Sequence, residues 1–447
     1  MTSQQAKTKI AVVQLNSTED KARNFRIAQQ LIQEATNNGA RMAFLPECFD
    51  MICSSKKETI ENGEAIDGST VKSYQELARA NKIWLSLGGL HEKDPSSTDS
   101  RLFNAHLIVN SEGEIVSIYR KVHLFNLDIP GTRLLESEFS QPGNAVIKPV
   151  STPAGNIGMG ICYDLRFPEF AISMAKAGAQ ILTYPSSFTV PTGKAHWEIL
   201  LRSRAIETQC YVVAAGQVGS HNSKRSSYGN SMIIDPWGVV LAHISKDEPG
   251  YAIAEVDFDH LTNVRKRLPV WTDRKPELYG EIIPAHVEYG KSSNDETVFH
   301  FGDKTIVQPY QIFARTPLSV GFVNHRPVLP GHMLVSPLRA NTKRLSTLTQ
   351  TEISDLFFLV QKVQSAVEKI YGAGSSTIAI QDGIDAGQSI EHVHVHIVPR
   401  KSSDFGGNVD EIYARLQQHD KKDNAFNLRL LSIDEMTQQS KILRENL

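Results

Sequence analysis

The 447-residue sequence predicts a layered α/β domain followed by a smaller α+β domain. The chain exceeds the roughly 100 to 200 residues that one ordinary hydrophobic core supports, which predicts two domains. From Ile10 to about Leu261, short apolar runs alternate with helical patterns, as they do in layered α/β domains. A polar stretch over residues 280–298 interrupts this pattern. We therefore divide the chain into residues 1–288, a linker at 289–298 and residues 299–447.

The elements of the first region follow one another regularly. Helical patterns cover residues 22–37, 69–80, 167–177 and 195–209. The strand-like runs between them are IAVVQL, RMAFLPE, KIWLSLGGL, AHLIVN, EIVSIYRKVHL, NIGMGICYD, AQILTYPSSF and CYVVAAGQV. Many of these runs are apolar on both faces, which indicates strands that are buried between two layers.

The second region has fewer elements. Its strand-like runs are VGFVNHRP, GHMLVSP, STIAIQDG and HVHVHIVPR, and an amphipathic helix is predicted from Thr349 to Tyr371. The run QQHDKKD, from Gln417 to Asp423, is strongly polar and is interpreted as a solvated surface.

Composition excludes several classes of protein. With 47 basic and 49 acidic residues the net charge is −2, and without a dense basic block we expect no DNA or RNA partner. Four cysteines in so long a chain do not form a disulfide framework, which favours a reducing compartment and a cytoplasmic location. The N-terminus lacks the features of a signal peptide, and no apolar run reaches the roughly 18 to 20 residues that span a bilayer. We therefore expect no membrane partner.

A candidate nucleophile lies in the run NIGMGICYD. Cys162 stands where a strand-like run meets a helical pattern, and such a turn exposes a thiol together with backbone N–H groups that could hold an oxyanion. Glu47 in FLPECF and Lys121 in YRKVHLFNLDIPG end two other strand-like runs. If they meet, the three supply a base, a cation and a nucleophile for attack on an amide or nitrile carbon. A lone cysteine is more often a small buried apolar residue, so the assignment depends on the surrounding motifs.

The motifs FLPECF, RKVHLFNLDIPG and GICYDLRFPE resemble those of the nitrilase superfamily, in the branch of the Nit amidases, over residues 8 to about 285. The resemblance implies a four-layer αββα sandwich. It makes Glu47 the general base, Lys121 the group that stabilises the tetrahedral intermediate and Cys162 the residue that forms a thioester. Glu136, in RLLESEF, matches a second glutamate that helps to position the nucleophile and substrate. The implied substrate is a small ω-amide of a dicarboxylic 2-oxo acid or a deaminated peptide such as deaminated glutathione, with no cofactor.

Three histidines, His392, His394 and His396, alternate with apolar residues, so a strand would place the three imidazoles on one face. A zinc site is the obvious rival, because His-x-His pairs bind zinc. At about 3.3 Å per residue the outer two Cα atoms stand about 13 Å apart, so one ion would not reach both, and we expect no protein-bound metal. A neutral imidazole can attack phosphorus, and flanking imidazoles can fix its tautomer, which favours the middle residue, His394, as nucleophile.

The segment QDGIDAGQSI offers amide donors and a glycine turn that can approach a phosphate. Together with VNHRPVLPGHMLVSP, EHVHVHIVPRKSSDFGGN and EIYARLQQHDKKD, it makes residues 299 to about 430 resemble the histidine-triad family, in its Fhit branch. The resemblance implies that His394 forms a nucleotidyl-histidine intermediate. It also implies supporting or substrate-binding roles for His332, His392, His396, Asn324 at the nucleoside, Gln381 at the phosphates, and the phosphate loop Gly387, Gln388, Ser389 and Ile390.

The Fhit resemblance implies a substrate and its ion. The expected substrates are dinucleoside polyphosphates, chiefly diadenosine triphosphate, cleaved to a nucleoside monophosphate and a nucleoside diphosphate. A divalent cation, Mn²⁺ or Mg²⁺, would be bound to the substrate phosphates. Residues 301–308 match the first strand of the family only with a gap, so contacts from them stay unassigned. Tyr413 matches a tyrosine that family members use in signalling, and an ordinary aromatic residue at a helix start is an equally open interpretation.

The order of the two regions resembles the invertebrate fusion family called NitFhit. Both regions keep their reactive residues, so the sequence predicts a bifunctional hydrolase that binds a small amide and a dinucleoside polyphosphate. The competing hypothesis is a signalling protein or scaffold in which the nucleotide-bound state is the signal. Related proteins suggest a homotetramer built on the amidase region, and closed symmetry is the usual rule for such assemblies.

Overall fold

The computed structural model describes residues 7–129, 132–245, 247–280, 282, 297–303, 305–419 and 428–447. The chain divides into unit 1, Met1–Ala285, and unit 2, His286–Leu447. The predicted linker, residues 289–298, lies outside the described residues except for residues 297 and 298. Among the helices in the described ranges, none is long and apolar enough to cross a membrane.

Unit 1 alternates strands and helices, as its sequence pattern predicts. Its strands are β1 (Thr8–Gln14), β2 (Met42–Phe44), β3 (Trp84–Glu92), β4 (Phe103–Val109), β5 (Ile115–Arg120), β6 (Asn126–Ile129), β7 (Thr132–Leu135), β8 (Val150–Thr152), β9 (Gly155–Met159), β10 (Ile181–Thr183), β11 (Tyr211–Ala214), β12 (Val218–Ser220), β13 (Ser226–Tyr228), β14 (Met232–Ile234), β15 (Val240–His243) and β16 (Gly250–Val256). Its helices are α1 (Lys21–Asn37), α2 (Lys56–Asn62), α3 (Ser69–Asn81), α4 (Pro168–Lys176), α5 (Val190–Thr208), α6 (Phe258–Arg267) and α7 (Pro276–Tyr279).

Helix α5 begins earlier than predicted, at Val190, because the first turn contains Pro191. Proline lacks a backbone N–H, but the first turn of a helix does not use that group, so the proline starts the helix rather than preventing it. The other three predicted helices begin and end within about one residue of the observed bounds, which is the usual uncertainty of helix ends.

Two large sheets form the centre of unit 1. Within the described residues, each has six strands, in the orders β16-β1-β2-β3-β4-β5 and β15-β14-β11-β10-β9-β8. The inner strands β1, β2 and β3 pair in parallel, and so do β9, β10 and β11. Parallel strands end at the same edge of their sheet, so the loops after β2 and β9 are the natural positions for a site.

The alternation along β1 shows how the layers pack. Ile10 and Val12 belong to a core that also contains Met159 of β9, whereas Ala11 and Val13 belong to a core shared with α1 and α3. Both faces of the strand are therefore buried, one against the second sheet and one against helices. Helices α4 and α5 contact β10 and β11 of the second sheet. The predicted four-layer αββα sandwich is confirmed.

Unit 2 is a smaller α+β domain, also as predicted. Its strands are β17 (Phe299–Phe301), β18 (Thr305–Val307), β19 (Ile312–Arg315), β20 (Ser319–Val323), β21 (Met333–Pro337), β22 (Ser375–Ala379) and β23 (Val395–Arg400), and its helices are α8 (Gln350–Tyr371), α9 (Glu411–Gln418) and α10 (Ile433–Asn446). Over the described residues the main sheet is antiparallel, in the order β19-β20-β21-β23-β22, and β17 pairs with β18. Helix α8 covers one face of the sheet through Val335 and Val395.

The histidine run departs in part from its prediction. Strand β23 begins at Val395, so His392 and His394 precede the strand rather than lying in it. The alternation continues through this extended segment nonetheless: Val393 packs in the same core as Val395. The imidazoles lie on the other side, because successive residues of an extended backbone point their side chains in opposite directions.

Candidate active sites

Three charged side chains meet in the interior of unit 1. Lys121 Nζ donates to Glu47 Oε1 at 2.9 Å and to Glu136 Oε1 and Oε2 at 3.1 and 2.8 Å. Lys121 follows the end of β5, Glu47 follows β2 and Glu136 follows β7, so strand ends bring them together. All three residues are at least 94% buried. The structure thus assembles three of the four predicted residues of this site into one buried ion cluster.

Asn104 and Ser187 complete the cluster, and sequence reasoning missed both. Asn104 Nδ2 donates to Glu47 Oε1 at 2.9 Å and to Glu136 Oε1 at 3.2 Å, and the backbone N–H of Ser187 donates to Glu47 Oε2 at 2.8 Å. The available signal was a polar residue, Asn104, in the mostly apolar strand β4, immediately before the run AHLIVN. Gly89 of β3 faces this cluster, and a Cβ there would lie 2.8 Å from Asn104 Oδ1 and 3.0 Å from Glu47 Cα.

Cys162 lies at the predicted strand-to-helix turn, with a left-handed backbone (φ 45°). Its side chain is hydrogen-bonded to the Glu47 carboxylate. Its own backbone N–H donates to the carbonyl of Pro185 at 2.9 Å, so that N–H does not serve an oxyanion. The prediction that the N–H groups of this turn hold the oxyanion is therefore wrong for the N–H of Cys162. The ammonium group of Lys121 is the oxyanion donor that the cluster offers.

The charges of the cluster set its protonation state. Burial alone would lower the pKa of Lys121, but Glu136 and Glu47 outweigh burial and raise that pKa well above its ordinary value. Burial alone would raise the pKa of Glu47, and Lys121 reverses this and lowers it. Burial and the Glu47 carboxylate raise the pKa of the Cys162 thiol well above its ordinary value. At rest the site therefore holds a protonated thiol that donates to an ionised carboxylate, which is the arrangement of a nucleophile beside its general base.

A cavity of about 580 Å³ opens onto this cluster. Glu47, Lys121, Glu136 and Cys162 all line it, so the four predicted residues share one cavity. Its wall also includes two cations that the sequence analysis did not single out, Lys224 and Arg225, and the apolar side chains Phe125, Leu127, Phe139, Val190 and Pro191. The cavity therefore offers positive charge for acidic groups of a ligand.

In unit 2 the tautomer of His394 follows from one contact. Its Nδ1 lies 2.8 Å from the carbonyl oxygen of His392, which only accepts, so Nδ1 carries the proton and Nε2 carries the lone pair. The imidazole of His392 donates through Nε2 to the carbonyl of Pro337 at 3.0 Å. The prediction that a flanking imidazole fixes the tautomer is thus wrong. A backbone carbonyl does so, because the extended chain turns the oxygen of His392 toward the histidine two residues further along.

His332 and His396 form a directed pair beside the nucleophile candidate. The backbone N–H of Val328 donates to His332 Nδ1 at 3.2 Å, so His332 Nε2 is protonated and donates to His396 Nδ1 at 3.0 Å. His396 therefore carries its proton on Nε2. Its ring centroid lies 4.8 Å from that of His394. Burial, then His419 and His394, lower the pKa of His332 well below its ordinary value, so this ring stays neutral.

The interpretation of QQHDKKD as a solvated surface is wrong for His419, and residues 420–423 of that run lie outside the described residues. His419 is only 2% exposed, and its Nε2 lies 3.1 Å from Asn324 Nδ2 and 2.6 Å from the carbonyl oxygen of Arg326. Its ring centroid is 5.1 Å from that of His332. Helix α9 carries this end of the polar run into the domain, because its Ile412 and Leu416 are buried. The sequence signal was a histidine one turn after two apolar residues spaced four apart.

A cavity of about 300 Å³ lies beside His394. The predicted nucleoside contact Asn324 lines it, as does Ile390 of the predicted phosphate loop. Its remaining wall is mostly apolar: Phe301, Ile306, Val307, Tyr310, Phe322, Val323, Leu334 and Met436. The region around 301–308 that the sequence left unassigned therefore supplies much of the wall, and the Phe301 ring lies edge-on to His394 with centroids 5.1 Å apart. A mostly apolar wall of this kind suits a nucleobase.

The predicted phosphate loop is a closed turn. Gly387 has φ 89°, and a Cβ there would meet Gln381 Nε2 at 2.9 Å, so glycine lets the Gln381 amide approach the loop. Gln388 is buried and holds the loop closed, since its Oε1 accepts from Gly383 N–H at 2.9 Å and its Nε2 donates to Lys343 at 3.0 Å. Ser389 is exposed. Tyr413 lies on helix α9 and is 63% exposed, which agrees with either interpretation of that residue.

Comparisons with known proteins identify the families of both units. The carbon-nitrogen hydrolase family model matches residues 9–266 and the HIT domain model matches residues 305–403. The nitrilase and fragile histidine triad fusion protein NitFhit of Caenorhabditis elegans is 48% identical over 414 residues, which cover 92% of this chain and 91% of that protein. Human deaminated glutathione amidase is 49% identical over 275 residues, covering 61% of this chain and 84% of that amidase.

The crystal structure of the C. elegans NitFhit protein resembles this chain with a TM-score of 0.86 at 42% identity, covering 99% of this chain and 100% of that one. Identity and coverage at this level extend over both units. The chain therefore belongs to the family of NitFhit fusion proteins, with a nitrilase-superfamily carbon-nitrogen hydrolase domain followed by a HIT domain.

Proposed function

We propose that unit 1 hydrolyses a small amide through a thioester on Cys162. The observation that carries this proposal is the Cys162 thiol hydrogen-bonded to the ionised Glu47, beside the buried ammonium group of Lys121. Glu47 accepts the thiol proton as sulfur attacks the amide carbon, and Lys121 stabilises the oxyanion. The C–N bond breaks as Glu47 returns the proton to the departing amine. Water, deprotonated by Glu47, then releases the acid and restores the thiol.

The proposed substrate is deaminated glutathione or a related ω-amide. Two observations support this choice: the 49% identity to the human deaminated glutathione amidase, and the cations Lys224 and Arg225 in the cavity wall, which suit the carboxylates of such a molecule. The test is an amidase assay of the parent chain and Cys162→Ala with deaminated glutathione. Cys210→Ala is the matched control, because Cys210 is buried outside the cavity. Ammonia or amine release by the parent and Cys210→Ala alone is expected, and inactivity of all three would refute the proposal.

We propose that unit 2 cleaves diadenosine triphosphate to AMP and ADP through a nucleotidyl-histidine. The carrying observation is the His394 tautomer, since the carbonyl of His392 leaves the Nε2 lone pair to attack phosphorus. The Nε2–H of His396 can donate to a phosphate oxygen, and ADP departs. Water then hydrolyses the P–N bond and releases AMP. The divalent cation, Mn²⁺ or Mg²⁺, enters as part of the substrate and offsets the phosphate charge.

The competing hypothesis is that the nucleotide-bound state of unit 2 is a signal. His394→Asn separates the two, because asparagine cannot form the covalent intermediate but leaves the apolar cavity intact. An enzymatic role predicts that the variant loses both hydrolysis and cellular function. A sensing role predicts lost hydrolysis, undiminished nucleotide affinity and retained function. The exposed Tyr413 on helix α9 is the surface feature that favours this hypothesis.

We also propose a cytoplasmic homotetramer assembled through unit 1. The four cysteines are free, which suits a reducing compartment. The exposed apolar side chains of unit 1 include Ile199 (68%), Ile206 (48%), Trp237 (56%) and Val239 (49%). A Cβ on Gly238 would meet Ile206 at 2.7 Å, so the helix and the turn form one patch, as at subunit interfaces. Analytical ultracentrifugation should give a tetramer for the parent chain and smaller species for Trp237→Glu, and a monomeric parent would refute the assembly.

A further inference from the structure

A second cysteine, Cys48, lines the cavity of unit 1 in a constellation that the amide chemistry does not use. His91 lines the same cavity, and its Nδ1 lies 2.9 and 3.1 Å from the two carboxylate oxygens of Asp50. The Cys48 thiol lines this cavity beside the His91 imidazole and interacts with it electrostatically. Cys48, His91 and Asp50 therefore form a Cys–His–Asp arrangement, which is a known way to activate a thiol.

The backbone holds this arrangement rigidly. Cys48 adopts a left-handed conformation (φ 58°), its N–H donates to the carbonyl of Gly89 at 2.9 Å and its own carbonyl accepts from Gln217 Nε2 at 3.0 Å. The backbone N–H of His91 donates to Asp50 Oδ2 at 3.1 Å, so the carboxylate is bound by both the backbone and the ring. The backbone of Cys48 is therefore bonded to β3, the strand that carries His91.

The charges around His91 favour its protonated form. Burial alone would lower the pKa of His91, but Asp50 and Cys48 outweigh burial and raise it well above its ordinary value. An imidazolium ion beside a cysteine stabilises the thiolate, which is the nucleophilic form. Cys53 differs, because burial raises its pKa, and it does not line the cavity. The same loop thus holds one thiol placed for reaction and one that is not.

We propose that Cys48 is a site of thiol–disulfide exchange, which takes a low-molecular-weight disulfide that enters the amidase cavity. His91 Nε2 takes the Sγ proton, because Nδ1 is bound to Asp50. The Cys48 sulfur then attacks one sulfur of the disulfide, a Cys48–S–S–R bond forms and the R–S⁻ group leaves, taking up the proton from His91. A free thiol that attacks the Cys48–S–S–R bond restores the Cys48 thiol. Each exchange breaks one disulfide bond and forms another, so no outside oxidant or reductant is needed.

The adduct would occupy the space that the amide needs. Cys48 and Cys162 line one cavity of about 580 Å³, so a group attached to Cys48 fills part of the volume above the Cys162 thiol. Reversible loss of amide hydrolysis in an oxidising environment follows. This consequence rests on the proposed function of unit 1, whereas the chemical modification of Cys48 does not.

The modification is tested in the full chain carrying Cys162→Ala, so that the catalytic thiol cannot react, with bis(2-hydroxyethyl) disulfide as the probe. Peptide mapping by mass spectrometry should find the adduct on Cys48, removable by dithiothreitol, with Cys53 and Cys210 at least tenfold slower as internal controls. His91→Gln should slow the Cys48 reaction at least tenfold, since glutamine cannot take a proton. An adduct on Cys53 in preference to Cys48, or an equal rate in His91→Gln, would overturn the proposal.

A second measurement avoids any folding defect of the His91 variant. In the chain with His91 intact, at pH 7, the probe should react with Cys48 at least tenfold faster than with Cys53, which does not line the cavity. Equal rates at the two thiols would contradict activation by His91.

The activity measurement uses the chain with Cys162 intact. The parent should lose amide hydrolysis on treatment with the probe and regain it with dithiothreitol, and Cys48→Ser should keep its own untreated rate. Equal inactivation of Cys48→Ser would assign the effect to Cys162 and overturn the blocking role. A Cys48 adduct in a chain that hydrolyses no amide before treatment would support the modification site and count against the proposed function.

Discussion

Replacing Glu136 with glutamine tests how the ion cluster of unit 1 holds its ammonium group. Glu136 Oε1 accepts from Lys121 at 3.1 Å and Asn104 at 3.2 Å, and Oε2 accepts from Lys121 at 2.8 Å and the N–H of Phe125 at 2.7 Å. All of these partners are donors. Glutamine keeps the shape of the side chain but turns one oxygen into an NH₂ donor, which faces two other donors whichever way the amide is placed.

The magnitude follows from these contacts. Two hydrogen bonds are lost, and each bond to a charged group contributes about 1.5 to 3 kcal/mol. We take about 3 to 4 kcal/mol of this as lost stabilisation of the transition state, where Lys121 must face the oxyanion. Since about 1.4 kcal/mol corresponds to a tenfold change in rate, kcat/KM should fall by about 10² to 10³-fold. The group is buried, so water does not replace the missing partner.

The assay is kcat/KM for hydrolysis of deaminated glutathione, with thermal unfolding measured in parallel. Glu138→Gln is the matched control, because Glu138 lies in the same short helical turn and pairs with Lys56 at the surface, where the side chains are 31% and 50% exposed. Such exposed pairs contribute about 0 to 1 kcal/mol, so the control should keep kcat/KM within about fivefold of the parent. A folded Glu136→Gln chain with the same kcat/KM as the control would refute the reasoning.

Three further predictions concern other parts of the two sites. Gly89→Ala should lower kcat/KM for the amide by about 10- to 100-fold, since a shift of about 1 Å at a catalytic group has this effect. Gly250→Ala is the control and should keep the kcat/KM of the parent, because the nearest atom to its added Cβ is 3.9 Å away. Equal kcat/KM values for the two variants would show that Gly89 does not hold Glu47 in place. His419→Ala should slow nucleotide hydrolysis about tenfold, because losing a partner in a buried hydrogen-bond cluster costs about 1 to 3 kcal/mol. The exposed His300→Ala serves as its control, and a similar loss in both would contradict a specific role. The pH profile of amide hydrolysis should be flat down to about pH 5 and fall only below the ordinary glutamate pKa of about 4.3, because Glu47 must stay ionised and its pKa is lowered. The free energy of unfolding should follow the same pH dependence, because the stabilisation by this carboxylate is present above that pH and is lost as the pH falls. An acid limb of kcat/KM centred near pH 6 would contradict the cluster.

Much of the fold could be predicted because the patterns are local. Apolar runs such as IAVVQL place side chains on two faces. The helix predicted from Thr349 is α8, and Thr349 caps it in a capping box with Glu352. The early start of α5 at Val190 was missed, since Pro191 suggests the end of a helix as readily as its first turn. The start of β23 at Val395 was missed for a different reason. Alternation alone does not tell an extended segment from a paired strand, because pairing needs a partner strand.

The motifs named Glu47, Lys121, Cys162 and His394 without any structure, because reactive residues of a family stand in short, recognisable runs of sequence. Asn104, His419 and the wall of the nucleotide cavity came only from the folded chain. Those residues are far apart in sequence from the groups they touch, and a hydrogen bond or a cavity wall depends on distances in space that no local pattern encodes. The activation of Cys48 is of the same kind, since an ordinary cysteine acquires its chemistry from a histidine that follows it by more than forty residues and is brought beside it by the pairing of β2 with β3.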